Sequence, residues 1–278
     1  MRKNHVVVIG SGFGGVITAR ILNRLGALVT LVDAARHPRF AIGESSTPIA
    51  DQLLRLIGSR YGFEDLVSMS CYGRWKSASP DVTCGKKRGF SYFDHRATRN
   101  TNRGATTEGF EGERSLLVAA SPTDDASDTH WFRQEVDQAL VTEACREGVE
   151  LLEETRVTDL SRRADNCLDV KLSAGTNIVA DFVVDASGNA TTASLLQQPD
   201  LTHRLRTRTK TAYSHFSNVE SFSSYFDSIH DDRRATWPFD ADDAAQHHLI
   251  DEGWVWMLRL ENGITSVGAT SANHSVSA

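Results

Sequence analysis

A glycine turn set between a strand and a helix at the N-terminus constrains this chain more than any other feature. Val6-Val-Val-Ile9 is a continuous, mostly β-branched run, the pattern of a parallel strand covered on both faces. It leads into Gly10-Ser-Gly-Phe-Gly-Gly15, which supplies G-x-G-x-x-G at Gly10, Gly12 and Gly15. In such a unit the first glycine makes the tight turn, the second admits a pyrophosphate close to the backbone, and the third lets helix pack on strand. Val16, Ile21 and Leu25 continue at helical spacing up to Gly26, which is placed as a C-terminal cap. The free N–H groups around Gly12, Phe13 and Gly14, at the positive end of the helix dipole, suit an anion. A second strand, Leu28 to Val32, ends at Asp33, 23 residues after Gly10, where a ribose-binding carboxylate belongs. The pattern predicts a site for the ADP half of a dinucleotide. Its acidic residue disfavours NADP and leaves NAD or FAD.

At 278 residues and 40% hydrophobic, the chain is long enough for one large core or two small ones. Its 30 basic and 36 acidic side chains give a net charge of −6 with no sustained basic stripe, which argues against nucleic acid. Cys71, Cys84, Cys145 and Cys167 stand apart without a C-x-x-C pair, fitting neither a zinc site nor a disulfide framework, so a reducing cytoplasm is expected. The apolar start breaks at Gly10, too early for a signal peptide. No run of about 18 apolar residues offers a membrane span.

Four further segments carry pattern. Arg39-Phe-Ala-Ile-Gly-Glu-Ser-Ser-Thr-Pro48 precedes a helix through Leu53, Leu54 and Ile57, which Pro48 is placed to open. The segment beginning His130-Trp-Phe-Arg133 predicts an amphipathic helix, with Phe132, Val136, Leu140 and Ala144 spaced four apart. Phe182-Val-Val-Asp-Ala-Ser-Gly188 reads as a buried strand and turn, and Gly253 to Leu260 as a strand with Trp254 and Trp256 on one face. Together these segments resemble flavin-dependent halogenases, the tryptophan-halogenase-like group, over nearly the whole chain. One departure is Leu258-Arg259, which stands where the group has Ile-Pro.

The resemblance implies FAD and an α/β fold. A Rossmann-like FAD-binding domain, a parallel sheet with crossover helices, is expected over 1–199, with a small antiparallel section near 70–118. From 200 to 278 it implies the start of an antiparallel, substrate-facing sheet that includes Tyr213 to Phe216 and Trp254 to Leu260. The implied flavin contacts are the backbone of Gly10, Gly12, Phe13, Gly14 and Gly15 with Asp33, then Gly43, Glu44 and Ser45, then Asp185 and Gly188. Arg133 is either a phosphate partner or the i,i+4 ion-pair partner of Asp137 on an exposed helix face.

The chemistry implied is a two-component reaction. FAD reduced by a separate flavin reductase reacts with O2 and oxidises chloride or bromide to hypohalous acid, which a lysine delivers to an aromatic or phenolic small molecule. Such a lysine must be desolvated so that its amine is partly neutral. Lys76, 32 residues after Glu44, and Lys87, ahead of the alternating run from Gly89, are the two candidates, and Lys87 is preferred. For either, the alternative is a solvated surface amine.

Two other functions compete: a single-component aromatic monooxygenase that oxidises NAD(P)H itself, and a flavin-binding remnant without catalysis. The group continues well past this length, with a G-D-A segment not found here, and Ser271 to Ala278 continue no recognisable pattern, so C-terminal truncation is expected. Arg99 to Glu108 reads as a lid or as a disordered loop. His247-His248 has no partner at metal spacing, and Asp240-Ala-Asp-Asp243 reads as a solvated acidic turn.

Overall fold

A computed structural model describes residues 2–96, 115–188, 190–199, 201–229 and 236–272. The Arg99 to Glu108 stretch lies outside them. Among the described residues no helix is long and apolar enough to cross a membrane. The chain separates into two discontinuous compact units, Met1–Gly43 with Arg133–Arg204 and Glu44–Phe132 with Leu205–Ala278.

The first unit is built on a parallel sheet in the order Phe182–Asp185, His5–Ile9, Leu28–Val32, Glu150–Leu152. Val6, Val7, Val8 and Ile9 are all buried, as a continuous apolar run in an inner strand requires. A three-stranded antiparallel sheet, Asn177–Ala180, Leu168–Leu172 and Val157–Arg162, packs Val157, Leu160, Val170 and Leu172 against Val7, Ile9 and Val32. The helix Phe13–Arg24 crosses from the first strand to the second. Its buried Arg20 is held bidentately by Glu147, with Nε to Oε2 at 3.0 Å and Nη2 to Oε1 at 2.8 Å. Phe182–Asp185 corrects one expectation: among the described residues it is the edge strand, paired only with His5–Ile9, and Phe182 is 58% exposed.

The second unit carries a six-stranded sheet in the order Thr209–Ser217, Ile264–Ala272, Gly253–Arg259, Ala244–Ile250, Gly89–Asp94, Ser115–Ala119. Its pairings are antiparallel except that between Gly89–Asp94 and Ala244–Ile250. That parallel pairing explains why the expected domain of 1–199 does not form one unit. Within 44–132, Gly89–Asp94 takes one partner from the C-terminal strand Ala244–Ile250, and among the described residues no strand of 44–132 joins the four-stranded parallel sheet. Near 70–118 the antiparallel pairings are Gly89–Asp94 with Ser115–Ala119 and Cys84–Lys87 with Asp128–Trp131.

Other local differences have simple causes. Asp128–Trp131 is a strand, and the helix expected from His130 starts at Arg133. Trp254 and Trp256 do share a strand face, their rings 5.6 Å apart. Asp240–Asp243 is not a solvated turn: Asp242 accepts from Ser221 Oγ at 2.5 Å and pairs with Arg259 Nε at 2.7 Å. The Arg259 that departs from the group's Ile-Pro is thus the ion-pair partner of this turn. His248 faces His95, Nδ1 to Nε2 at 2.9 Å, and the described residues contain no metal-holding cluster.

Candidate functional site

In the first unit the glycines differ in why they are needed. Gly10 has φ +97°, and a Cβ there would meet the Ala186 carbonyl oxygen at 2.5 Å. A Cβ on Gly15 would lie 1.8 Å from the Gly10 carbonyl oxygen. Both are therefore demanded by the packing of the protein on itself. Gly14 meets nothing within 4 Å, and a Cβ on Gly12 would meet only guanidinium nitrogens, Arg133 Nη2 at 3.6 Å and Arg39 Nη2 at 3.7 Å. The helix opens at Phe13 with no side-chain cap on Gly12 and no acidic residue in its first turn. Open backbone, uncapped N–H groups and two converging guanidinium groups make a cradle that an anion fits. Arg39 Nε is also buried without a hydrogen-bond partner.

Asp33 closes the next side of this cradle. Its Oδ2 accepts from Ser11 N at 2.8 Å and Ser11 Oγ at 2.5 Å, and its Oδ1 from Ala35 N at 2.9 Å. Burial pushes this carboxyl up, but the Ser11 and Ala35 hydrogen bonds, with Arg39 nearby, outweigh it and hold it below the usual carboxylate range. Oδ2 is saturated, while Oδ1 keeps acceptor capacity for a hydroxyl. The residues present fit the diphosphate and ribose of a dinucleotide.

Of the two descriptions expected for Arg133, the structure shows the ion pair. Arg133 forms it with Asp137, Nε to Oδ1 at 2.8 Å and Nη2 to Oδ2 at 3.0 Å, but both residues are buried rather than on an exposed face. Its Nη1 donates to the carbonyls of Ile42 at 2.7 Å and Gly43 at 3.2 Å, and its guanidinium lies 4.2 Å from the Phe13 ring. Arg133 thus clamps the segment ending at Gly43, itself at φ +88°, and presents its remaining Nη2 donor beside Gly12. Asp185 is exposed and accepts from Ser187 and Thr192, so it organises its own turn, where Gly188 takes φ +73°.

The second unit separates the two candidate lysines. Lys76, with its side chain 35% exposed, pairs with Glu261 at 2.6 Å, and that hydrogen bond raises its pKa. It is a held ammonium. Lys87 is 0% exposed, donates from Nζ to the Ser46 carbonyl, lies 3.7 Å from Asp128 Oδ2 and sits 4.1 Å from the Phe90 ring. Burial lowers its pKa against the pull of Asp128 and Asp51. Glu44 and Ser45 begin the same unit. Glu44 is buried, its Oε1 bonded to His215 Nε2 at 2.7 Å and its carbonyl accepting from Trp131 N at 2.6 Å. Ser45 bridges to His130, and its Oγ is buried without a partner.

Sequence reasoning missed Asp51, Asp128, His130 and His215. Asp128–Trp131 is buried at every position, so alternate polar residues that normally mark a solvent face are here interior. No spacing rule separates the two cases.

Comparison with known proteins adds the following. The family model described as FAD dependent oxidoreductase (DAO) matches residues 5–274. Tetracycline 7-halogenase of Kitasatospora aureofaciens is 28% identical over 265 residues, covering 94% of this chain and 44% of the relative. Monodechloroaminopyrrolnitrin halogenase PrnC of Pseudomonas fluorescens is 26% identical over 278 residues, 96% of this chain and 46% of its own. The crystal structure of halogenase PltM in complex with phloroglucinol and FAD superposes with a TM-score of 0.83 at 26% identity, over 97% of this chain and 52% of that one. The chain spans about half the length of the relatives it matches.

Proposed function

Because the chain belongs to the FAD-dependent oxidoreductase family, on its flavin-dependent halogenase branch, we propose that it carries the FAD-binding and halogen-delivering parts of a halogenase for a small aromatic or phenolic molecule. One observation carries the reading: Lys87 is wholly buried with its amine on the Ser46 carbonyl, whereas Lys76 is a surface ammonium tied to Glu261.

Bound to this chain, FAD reduced by a separate reductase would supply the O2 chemistry that oxidises chloride or bromide to hypohalous acid. The backbone of Gly12, Phe13 and Gly14 with the Nη2 groups of Arg39 and Arg133 would bind its diphosphate, and Asp33 Oδ1 a ribose hydroxyl. Gly10 and Gly15 hold the turn in shape, and Gly43, Glu44, Ser45, Asp185 and Gly188 would supply the remaining backbone contacts. Lys87 Nζ receives the hypohalous acid, holding it as a hydrogen-bond partner or as an amine nucleophile. Burial lowers the barrier to neutral amine at neutral pH. The related PltM structure holds phloroglucinol, an electron-rich ring of the class proposed here.

The test supplies chemically reduced FAD, O2, bromide and a phenolic ring, and follows halide-dependent mass gain. Lys87→Ala is expected to fall to background while Lys76→Ala stays within about 3-fold, since an exposed pair contributes little. NADPH oxidation by the chain alone, with a hydroxylated product that needs no halide, overturns the halogenase reading.

A further inference from the structure

Resting on the reading of Lys87 as the halogen-delivering lysine, we infer that Asp51 and Asp128 are positioning residues that hold one proton between them and set the charge and pose of the Lys87 amine. The three groups come from three elements. Lys87 ends the strand Cys84–Lys87, Asp128 stands directly opposite it in register, and Asp51 lies in the first turn of the helix Pro48–Tyr61. Exposure is 0% for Lys87, 6% for Asp51 and 4% for Asp128. Ser46 links them: its carbonyl accepts from Lys87 Nζ, and its hydroxyl donates to Asp51 Oδ1 at 2.6 Å.

Charge counting shows why a proton is needed. With all three ionised, the pocket holds one cation and two anions away from water, an uncompensated buried charge. Asp128 Oδ2, 3.7 Å from Lys87 Nζ, has no hydrogen-bond donor of its own. One proton on the pair brings the cluster to neutrality and provides a donor between the carboxyls, which lie within hydrogen-bonding reach of each other. Burial pushes Asp51 up to about 7, Ser46 opposing and Asp128 adding to it.

The other titratable groups facing the cluster add no charge. His130, beside Asp128 in the same strand, is driven down to about 3 by burial, with Lys87 adding to it. His247, from Ala244–Ile250, is also lowered by burial. Asp128 Oδ2 is therefore the acceptor for the proton that Lys87 gives up. The transfer turns ammonium, carboxylate and acid into amine and two acids, three neutral groups in a dry pocket. The amine that meets hypohalous acid is made without a proton crossing to solvent.

The experiment follows the side-chain resonances of Lys87 by NMR against pH in the ligand-free chain, assigned by their loss in Lys87→Arg. In the wild type an inflection near pH 7 is expected from Asp51, and Asp51→Asn should abolish it, since its amide stands in for the protonated acid at every pH. Asp128→Asn should lower the Lys87 pKa by about 1 to 3 units, the effect of removing a nearby opposite charge. An inflection that persists in Asp51→Asn, or one Lys87 titration common to all three proteins, overturns the inference.

Thermal unfolding gives a second readout. The native state keeps a proton on Asp51 that the unfolded chain releases, so wild-type stability should fall as pH rises from about 4 to 7. Asp51→Asn should flatten that slope and decides the matter even if Asp128→Asn fails to fold. Neither measurement uses FAD, halide or substrate. Retained halogenation by Lys87→Ala would sink the catalytic role of the lysine, whereas an unaltered titration in Asp51→Asn would sink the shared proton.

Discussion

The glycine turn and the lysine pocket, one in each compact unit, are built from opposite materials. The turn works by leaving side chains out: Gly12 and Gly14 keep the helix N-terminus bare, and the groups it offers are mostly backbone N–H. The pocket works by enclosing side chains that a protein interior normally rejects, a lysine and two aspartates wholly or almost wholly buried. The first kind of site depends on backbone geometry within one short stretch of sequence. The second depends on charge balance among Asp51, Lys87 and Asp128, which are spread over 77 positions of the chain. Geometry and charge therefore fail in different ways, and substitutions can tell them apart.

The largest expected effect is Gly15→Ala. The added Cβ would lie 1.8 Å from a backbone oxygen, and no flexible side chain is there to move aside. The turn must open, and we expect a loss of more than about 4 kcal/mol in stability, with FAD binding abolished. Gly14→Ala, which meets nothing within 4 Å, should instead leave stability within about 1 kcal/mol of wild type, on the stabilising side, as alanine replaces glycine in a helix. Urea unfolding of both variants checks the pair. Equal losses would show that the turn is not governed by backbone contact.

Next comes Lys87→Met set against Lys76→Met. Removing Lys87 leaves Asp51 and Asp128 buried without their cation, expected to cost about 3 to 5 kcal/mol at pH 8. The deficit should shrink as pH falls and the carboxyls take up protons. Removing Lys76 breaks a pair a third exposed to water, worth at most about 1 kcal/mol. Equal, pH-independent losses would mean that the pocket is held by packing and not by charge.

Legibility in the sequence follows the same divide. Gly10 to Asp33 could be read because strand, turn, helix and second strand are contiguous and their glycine spacing lies within one short stretch. From sequence, residues 44–132 read as part of 1–199, because the pairing of Gly89–Asp94 with Ala244–Ile250 joins strands about 150 residues apart and neither strand advertises the other. Resemblance favours Lys87 over Lys76, and the structure separates them by burial and by the Glu261 pair that holds Lys76. Asp51 and Asp128 left no trace, since an aspartate in the first turn of a helix is ordinary capping chemistry and one at the first position of a short strand looks no different from an exposed strand end. Arg133 and Asp137 are recognisable as a pair at i,i+4, but not as buried, because the Ile42 and Gly43 carbonyls to which Arg133 donates lie some 90 residues away.

The smallest expected effect, on Asp33, sharpens the comparison through pH. Asp33→Asn keeps the shape but puts an uncharged amide against the Ser11 N–H and hydroxyl, so FAD affinity should fall about 10-fold, the scale of one charge-assisted hydrogen bond. In the wild type the Asp33 carboxyl is held below its unfolded value. Its contribution is complete above the ordinary carboxylate range and is lost only as pH falls through the lowered folded pKa. FAD affinity, measured by flavin fluorescence, should therefore be flat from pH 8 to about 5, while Lys87 responds near pH 7. A wild-type FAD affinity that inflects at pH 7 would mean that the turn feels a titrating group of its own, and the division between a site made by geometry and one made by charge would fail.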